Sequence, residues 1–185
     1  HPVPPGDFLI HAGDIMNSGY NPNEIVSFLE WFGKFPHRHK IFIAGNHDRY
    51  FQSNGQEIPH FIKDANLEGE VHYLMDSSIV LDGIRIYGSP WQPEFCNWAF
   101  NLPRGNKLKM AWDMIPNNTD VLITHGPPYG ILDEVSGESR RVGCIELKER
   151  LISLSIKLHV FGHIHEGYGM VHSDHTTFVN ASICD

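Results

Sequence analysis

The stretch Leu158–Gly169, LHVFGHIHEGYG, guides the interpretation of the whole chain. It begins with an apolar run typical of a buried strand and continues through Gly162 to His163 and His165. In extended backbone, residues two apart project to the same side, so both imidazoles can reach one volume just beyond the strand. The glycine before them allows a ligand to approach closely. The chain contains 13 histidines, so this pair alone also fits a chance occurrence in a loop.

The same pattern occurs three more times. A short apolar or β-rich run ends at Gly13-Asp14, at Gly45-Asn46-His47 and at Thr124-His125. In layered α/β proteins, ligands bind outside the carboxyl ends of the strands, so we expect these residues to converge at one edge of the sheet. Taken singly, each has an ordinary explanation as a turn residue, a cap or a hydrogen-bonded buried histidine. Four strand ends that all carry Asp, Asn or His favour a shared site.

Helical periodicity and turn signals fill the intervals between these runs. Amphipathic stripes beginning at Ile25, Leu108 and Cys144 predict three helices, and residues 57–66 are compatible with a fourth, shorter one. Asp82-Gly83 between two β-type runs predicts a two-residue type I′ hairpin. The pattern indicates one α/β domain whose strands are covered on both faces by helices. The aromatic-rich segment 88–105 fits either a pocket wall or a small satellite core.

Composition and charge exclude several classes of protein. The chain has 185 residues and a formal net charge of −8, which argues against a general nucleic-acid binder. A negative protein that handles phosphate needs local compensation, for which metal cations are the usual means. No apolar run approaches the roughly 20 residues of a membrane span, so we expect no membrane partner. Three scattered cysteines suggest no disulfide framework, and we expect a reducing, cytoplasmic location.

The donor types at the four strand ends indicate which metals would fit. Imidazole nitrogen, carboxylate oxygen and amide oxygen occur together without a thiolate. This set suits Mn²⁺, Fe or Zn²⁺ in a catalytic site rather than a structural zinc.

In their order along the chain, these motifs resemble those of the calcineurin-like metallophosphoesterase superfamily. They are GD at 13–14, GNHD at 45–48, a single histidine at 125 and GHIH at 162–165. The longer stretches FLIHAGD, KIFIAGNHD and THGPP are similar to the branch of brain-type metallophosphoesterase-domain proteins and their fungal and bacterial relatives. The resemblance implies a four-layer α/β sandwich, with two β-sheets flanked by helices, and a site for two divalent metal ions. Residues 1–185 would form a single metallophosphoesterase domain.

By position, the resemblance implies five metal ligands: Asp14, Asn46, His125, His163 and His165. Asp14 would bridge the two ions, and His165 would belong to the second of them. His47 would contact the phosphate and protonate the leaving oxygen. The expected reaction is attack on phosphorus by a metal-activated water, without a phosphoenzyme.

One departure from the family pattern affects the expected metal content. The superfamily's first motif, Asp-x-His on the first strand, is not found in this sequence, and it is expected upstream of His1. The domain would then be truncated at its N-terminus. A chain of this kind would hold one ion rather than two, with weak activity or none.

The substrate follows from family analogy. We expect a small phosphoester, in particular a cyclic nucleotide or a nucleotide-like phosphodiester. The aromatic and Asn-rich loop with Trp91, Asn97 and Trp98, and the segment 166–168, are candidates to hold a base by stacking. Arg104 or Arg141 could meet a phosphate, but a surface salt bridge is the more ordinary role for each. The alternative function is a degenerate module that binds metal and nucleotide with little or no turnover.

Overall fold

Two β-sheets form the centre of the molecule. The computed structural model describes residues 3–17, 19–135 and 140–183. The helices in these ranges are α1 Pro22–Gly33, α2 Arg49–Asn54, α3 Ile58–Asp64, α4 Asn106–Asp113 and α5 Ile145–Ile152. The strands are β1 Phe8–His11, β2 His39–Phe42, β3 Val71–Tyr73, β4 Ser77–Leu81, β5 Ile84–Ser89, β6 Gln92–Pro93, β7 Asn101–Leu102, β8 Val121–Thr124, β9 Glu134–Val135, β10 Arg140–Arg141, β11 Leu158–Phe161, β12 Gly169–His172 and β13 Thr177–Asn180.

The two main sheets are separate in their hydrogen bonding. Strands β1, β2 and β3 form a parallel three-stranded sheet in that order. The second sheet has six strands in the order β12-β13-β11-β8-β5-β4. Its four central strands are parallel, and β12 and β4 pair antiparallel at the two edges. Strands β8 and β11 are neighbours, so their carboxyl ends lie side by side.

Three clusters of buried side chains define four layers. Between the two sheets lie aliphatic side chains from both, chiefly Ile41, Ile43, Leu74, Ile86 and Ile123. Helices α1, α2 and α3 cover the outer face of the three-stranded sheet, and α4 and α5 cover that of the six-stranded sheet. The four-layer sandwich expected from the resemblance is therefore confirmed. The simpler expectation of one sheet with helices on both faces is wrong, because each sheet packs one face against the other sheet.

Helix α1 illustrates how the local sequence fixes an element. The side chain of Asn21 caps its first turn by accepting from the backbone N–H of Asn23, and Pro22 occupies the first turn, where proline is tolerated. The predicted stripe is buried against the three-stranded sheet, and it comprises Ile25, Phe28, Leu29 and Phe32. The helix ends at Gly33, where a Cβ atom would lie 2.8 Å from a methyl of Leu67. This close approach explains the glycine there.

The hairpin between β4 and β5 has the predicted turn. Asp82 and Gly83 both adopt positive φ angles, 49° and 80°, as a type I′ turn requires. The short helix expected over 57–66 is observed as α3, whereas α2 was not predicted. Within the described ranges, none of the helices is long and apolar enough to cross a lipid bilayer.

Candidate metal centre

Three side chains from distant parts of the chain converge on one small volume. Asp14 follows β1, His125 follows β8 and His163 lies two residues beyond β11. One ligand atom from each lies within 4.8 Å of the others. The expected convergence at the edge of a single sheet is corrected, because the site lies where the carboxyl ends of two different sheets meet. The packing of the sheets face to face produces this seam.

Asn46 completes the cluster from the end of β2. Its Oδ1 atom lies 2.7 Å from Nε2 of His125 and 2.8 Å from Nδ1 of His163. The other ring nitrogen of His125, Nδ1, donates to the carbonyl oxygen of Ala12 at 2.9 Å. In the neutral ring, Nε2 is then an acceptor that faces the acceptor oxygen of Asn46. Two acceptors at this distance repel each other unless a proton or a cation lies between them, so the geometry fits a bound divalent metal.

The ionisation of the cluster also suits metal binding. Burial, reinforced by the neighbouring His125, lowers the pKa of His163 to about 3, which keeps its imidazole neutral. Burial opposes ionisation of Asp14, but His125 and the backbone N–H of His47 outweigh it and hold the pKa of Asp14 below its usual range. The carboxylate is therefore charged and the imidazole uncharged, as metal ligands must be.

Two of the ligands have an unusual backbone conformation. Asp14 and His163 have φ angles of 61° and 68°, in the left-handed region that residues other than glycine seldom adopt. Such strain persists where the surrounding structure enforces it, and it is concentrated at functional sites. Gly45 allows the strand ends to approach, since a Cβ atom there would overlap Oδ1 of Asp14 and lie 2.6 Å from Cε1 of His125.

The buried carboxylate of Asp48 holds these loops together. It accepts the backbone N–H groups of Asp14, Ile15, Met16 and Gly45, at distances of 2.6 to 3.2 Å. Burial and the charge of Asp14 raise the pKa of Asp48 to about 7, against the opposing effect of the donors. Its structural role was not predicted, and the only signal for it was its place as the last residue of GNHD.

His47 lies beside Asp14 rather than within the cluster. Its backbone N–H donates to Oδ1 of Asp14 at 3.0 Å, and its Nδ1 donates to the carbonyl oxygen of Asn17 at 3.2 Å. The imidazole packs against Trp98, with 4.5 Å between ring centroids. The predicted substrate residue Trp98 is thus a packing partner of His47. Asn97 is exposed and lines neither of the two cavities beside the centre, so the structure gives no support to its predicted contact with a base.

His165 lies further out than the other predicted ligands. It is exposed, begins a short 3₁₀ turn over His165–Gly167, and lines both cavities beside the centre. It is not one of the three residues that share the compact volume. The residues that the structure describes thus bring four of the five predicted ligands together and leave His165 at the rim.

Two cavities flank the centre, and both include His163 and His165. The arginine-lined cavity, about 430 Å³, lies against residues 92–95, 126–127 and 140–143, with Arg104 among them. The β1 cavity, about 450 Å³, lies against residues 9–14 and 181–183. Both open alternatives for the aromatic segment 88–105 apply, since Phe100 is fully buried in the core while Phe95 is 56% exposed on the wall of the arginine-lined cavity.

His11 lines the β1 cavity and was not singled out from the sequence. Its ring packs edge-on against Phe28 and Phe32, and burial lowers the pKa of His11 to about 4. Its Nδ1 atom is buried without a hydrogen-bond partner among the described residues. No spacing or motif in the sequence distinguishes it from the other histidines of the chain.

Comparison with known proteins agrees with this geometry. The family model for calcineurin-like phosphoesterases matches residues 1–167. Metallophosphoesterase domain-containing protein 1 of Homo sapiens is 46% identical over 200 residues, an alignment that covers 98% of this chain and 61% of the relative. A UPF0046 protein of Caenorhabditis elegans is 40% identical over 210 residues, covering 99% of this chain and 52% of the relative. The chain thus spans between half and two thirds of the length of these relatives.

The fold has counterparts among solved structures. The crystal structure of the protein TT1561 of Thermus thermophilus superposes with a TM-score of 0.65 at 14% identity, covering 95% of this chain and 76% of the other. Another crystal structure reaches a TM-score of 0.70 at 17% identity, covering 95% and 79%. At such identities the likeness concerns the fold alone. The extent of the family match and the identity to the human protein show that this chain belongs to the calcineurin-like phosphoesterase family.

Proposed function

We propose that the chain is a metal-dependent phosphoesterase that hydrolyses small phosphodiesters, with cyclic nucleotides or nucleotide-like esters as the substrate class. The observation that carries this proposal is the convergence of Asp14, Asn46, His125 and His163 on one volume at the seam between the sheets. Family membership supports the same chemistry. The proposal treats residues 1–185 as one domain.

The four converging residues would hold a divalent ion such as Mn²⁺, Fe or Zn²⁺. When bound, the ion would polarise the phosphoryl oxygens and increase the acidity of water at the site. Asn46 contributes a neutral oxygen, which leaves the site more electrophilic than a second carboxylate would. Buried His125 is oriented by its hydrogen bond to Ala12, so that Nε2 faces the site.

His47 is the residue we propose as the general acid. Its Nδ1–H is held by the carbonyl of Asn17, which leaves Nε2 to carry a proton toward the substrate. With a proton on both ring nitrogens, His47 would donate the Nε2 proton to the departing oxygen as the oxygen of water bonds to phosphorus and the bond to the alcohol oxygen breaks. The proton that the attacking water loses would pass to solvent, from which Nε2 would be protonated again. The backbone N–H of His47 also binds Asp14, so acid and ligand keep a fixed separation.

The test combines metal content with turnover. The chain is loaded with Mn²⁺, bound metal is counted by elemental analysis, and hydrolysis of bis(4-nitrophenyl) phosphate is compared with that of 4-nitrophenyl phosphate. We expect the diester to be preferred. H47A should lower kcat at least ~100-fold with metal content unchanged, whereas H60A, at an exposed histidine of α3, should leave both unchanged. Full activity of H47A would remove His47 from the role of acid.

The alternative function is a module that binds metal and nucleotide without useful turnover. The position of His165 at the rim favours it, because the compact set of ligands serves a single ion. One ion per chain with no hydrolysis of either ester would support this alternative. A folded chain that binds no metal would contradict both functions.

A further inference from the structure

The arginine-lined cavity shares a wall with the candidate metal centre. His163, a residue of the centre, lies on its lining together with His165 and Ile164. Its volume of about 430 Å³ falls in the range of cavities that enclose small organic ligands. A phosphate held at the centre would border both cavities, and one whose ester group points past His163 would place that group at the mouth of this cavity.

The walls of the cavity combine apolar surface with arginine and glutamate side chains. Apolar surface comes from Phe95, Pro127, Val135, Val142 and Ile164. Three arginines, Arg104, Arg140 and Arg141, stand on the same lining, with Glu94 and Glu166 as its acidic members. Arg141 pairs with the buried carboxylate of Asp133 and lies 3.7 Å from Glu134, so its charge is balanced. The lining therefore offers apolar surface and planar guanidinium groups rather than a net positive patch, and a ligand with a flat apolar group fits it.

The wall formed by residues 140–143 is held in place by hydrogen bonds to the buried carboxylate of Asp133 and to Arg104. The fully buried carboxylate of Asp133 accepts from the backbone N–H groups of Gly130 and Gly143 and from the guanidinium of Arg141. The guanidinium of Arg104 donates to the carbonyl oxygens of Val142 and Gly143, at 3.1 and 3.2 Å. The cavity is thus pre-formed, and a ligand would lose little free energy in ordering it.

We propose that this cavity binds the organic group of the ester, and that it selects phosphoesters whose alcohol carries a planar aromatic ring. The exposed ring of Phe95 supplies the flat apolar surface, and the arginines supply planar cations that favour aromatic faces. The inference rests on the proposed function for the position of the phosphate. It differs from the sequence-based expectation, in which Asn97, Trp98 and residues 166–168 hold the ring.

The test measures binding rather than turnover. The Mn²⁺-loaded chain is titrated with methyl phosphate and with phenyl phosphate in a calorimeter. These probes share the phosphate and differ in the ring, so their affinity ratio reports the cavity. We expect phenyl phosphate to bind at least ~10-fold more tightly, as burial of a ring in a pre-formed apolar cavity predicts.

Three variants locate the ring. F95A should reduce the preference for phenyl phosphate at least ~3-fold, and removal of so exposed a side chain should not disturb folding. G126L should abolish the preference, because a Cβ atom at Gly126 has ordinary contacts of 3.9 Å or more and the added side chain would fill the cavity. Y168A tests the rival, sequence-based expectation at an exposed aromatic residue outside the cavity lining, and it should leave the preference unchanged.

The possible outcomes separate this inference from the proposed function. Equal affinity for the two probes would overturn the inference and leave the proposed function standing. The same conclusion would follow if Y168A removed the preference for phenyl phosphate and F95A did not. Failure of the Mn²⁺-loaded chain to bind either probe would contradict the proposed function itself. G126A makes the same backbone change as G126L but does not fill the cavity. If G126L loses methyl phosphate binding and G126A keeps it, the leucine side chain has damaged the centre and not only obstructed the cavity. In that case F95A against Y168A decides the inference.

Discussion

Replacement of Asp48 by asparagine should weaken both the fold and the metal centre. In the native chain, Oδ2 of Asp48 accepts three backbone N–H groups and Oδ1 accepts that of Met16 at 2.7 Å. An asparagine offers one oxygen. If that oxygen takes the Oδ2 position, the amide NH₂ faces the N–H of Met16 and leaves this buried donor unsatisfied.

The magnitude follows from these four bonds. An unsatisfied buried N–H destabilises by about 1–3 kcal/mol, and the other three bonds weaken because their acceptor loses its charge. Relief of the desolvation of a buried carboxylate offsets part of this loss. We expect the free energy of unfolding to fall by about 2–4 kcal/mol. Mn²⁺ affinity should fall at least ~10-fold, because the loop that holds Asp14 in its left-handed conformation is no longer fixed.

The assay is urea unfolding of D48N at pH 8, followed by calorimetric titration of the folded protein with Mn²⁺. At that pH most of the native carboxylate is ionised, since the pKa of Asp48 is raised only to about 7. D64N, at an exposed carboxylate of α3, is the matched control and should change neither quantity. A D48N variant within about 0.5 kcal/mol of the native chain and with native metal affinity would refute this reasoning.

Three further predictions concern packing, reactivity and pH. In a titration with Mn²⁺, G45A should show no binding, because the added methyl group would overlap the ligands Asp14 and His125. The control G55A should bind Mn²⁺ normally, since its methyl group lies 3.7 Å from the nearest neighbour in a helical backbone. Burial raises the pKa of Cys144 to about 12, so iodoacetamide at pH 8 should modify exposed Cys96 in the folded protein and spare Cys144. Peptide mass spectrometry measures the labelling of each, and rapid modification of Cys144 would contradict its burial. Burial lowers the pKa of His159 to about 3, so between pH 6.5 and 3 the unfolded chain binds one more proton than the folded chain, and the contribution of this residue to stability, present above pH 6.5, declines as the pH falls. H159M should therefore flatten the pH dependence of the free energy of unfolding in urea by up to about 1.4 kcal/mol per pH unit.

Local signals in the sequence were sufficient for most individual elements. The apolar stripe of α1, the Asp82-Gly83 turn and the run Leu158–Phe161 each depend on residues close together in the chain, and each is observed. Element ends were less accurate, since capping and fraying are decided by contacts outside the pattern. The β-rich run expected to continue up to Gly45, for example, is a strand over His39–Phe42.

The arrangement of the sheets depended on long-range packing and could not be predicted from periodicity. A strand covered by a helix and a strand covered by another sheet have the same apolar composition, so residues such as Ile41 and Ile123 do not indicate which layer lies above them. Only the family resemblance distinguished the two cases. The shared ligand cluster was predictable because Asp, Asn and His at strand ends form a recognisable set.

The arginine-lined cavity had only partial signals. Phe95 and Arg104 belong to the segment 88–105 that the sequence suggested as a pocket wall, but Val142 shares no motif with them, so their meeting on one wall is visible only in the structure. Similarly, Asn97 and Trp98 are adjacent in sequence yet differ in role, since Trp98 packs on His47 and Asn97 lines neither cavity beside the centre.

The ligand set has a mechanical consequence for the molecule as a whole. Asp14 and Asn46 extend from the three-stranded sheet, and His125 and His163 extend from the six-stranded sheet. An ion bound by all four would cross-link the two sheets and resist the sliding of one sheet over the other. Because binding energy that requires the folded arrangement is also folding energy, resistance to shear at this seam should rise and fall with metal supply. Metal availability would then set the lifetime of the folded protein as well as the activity proposed for it.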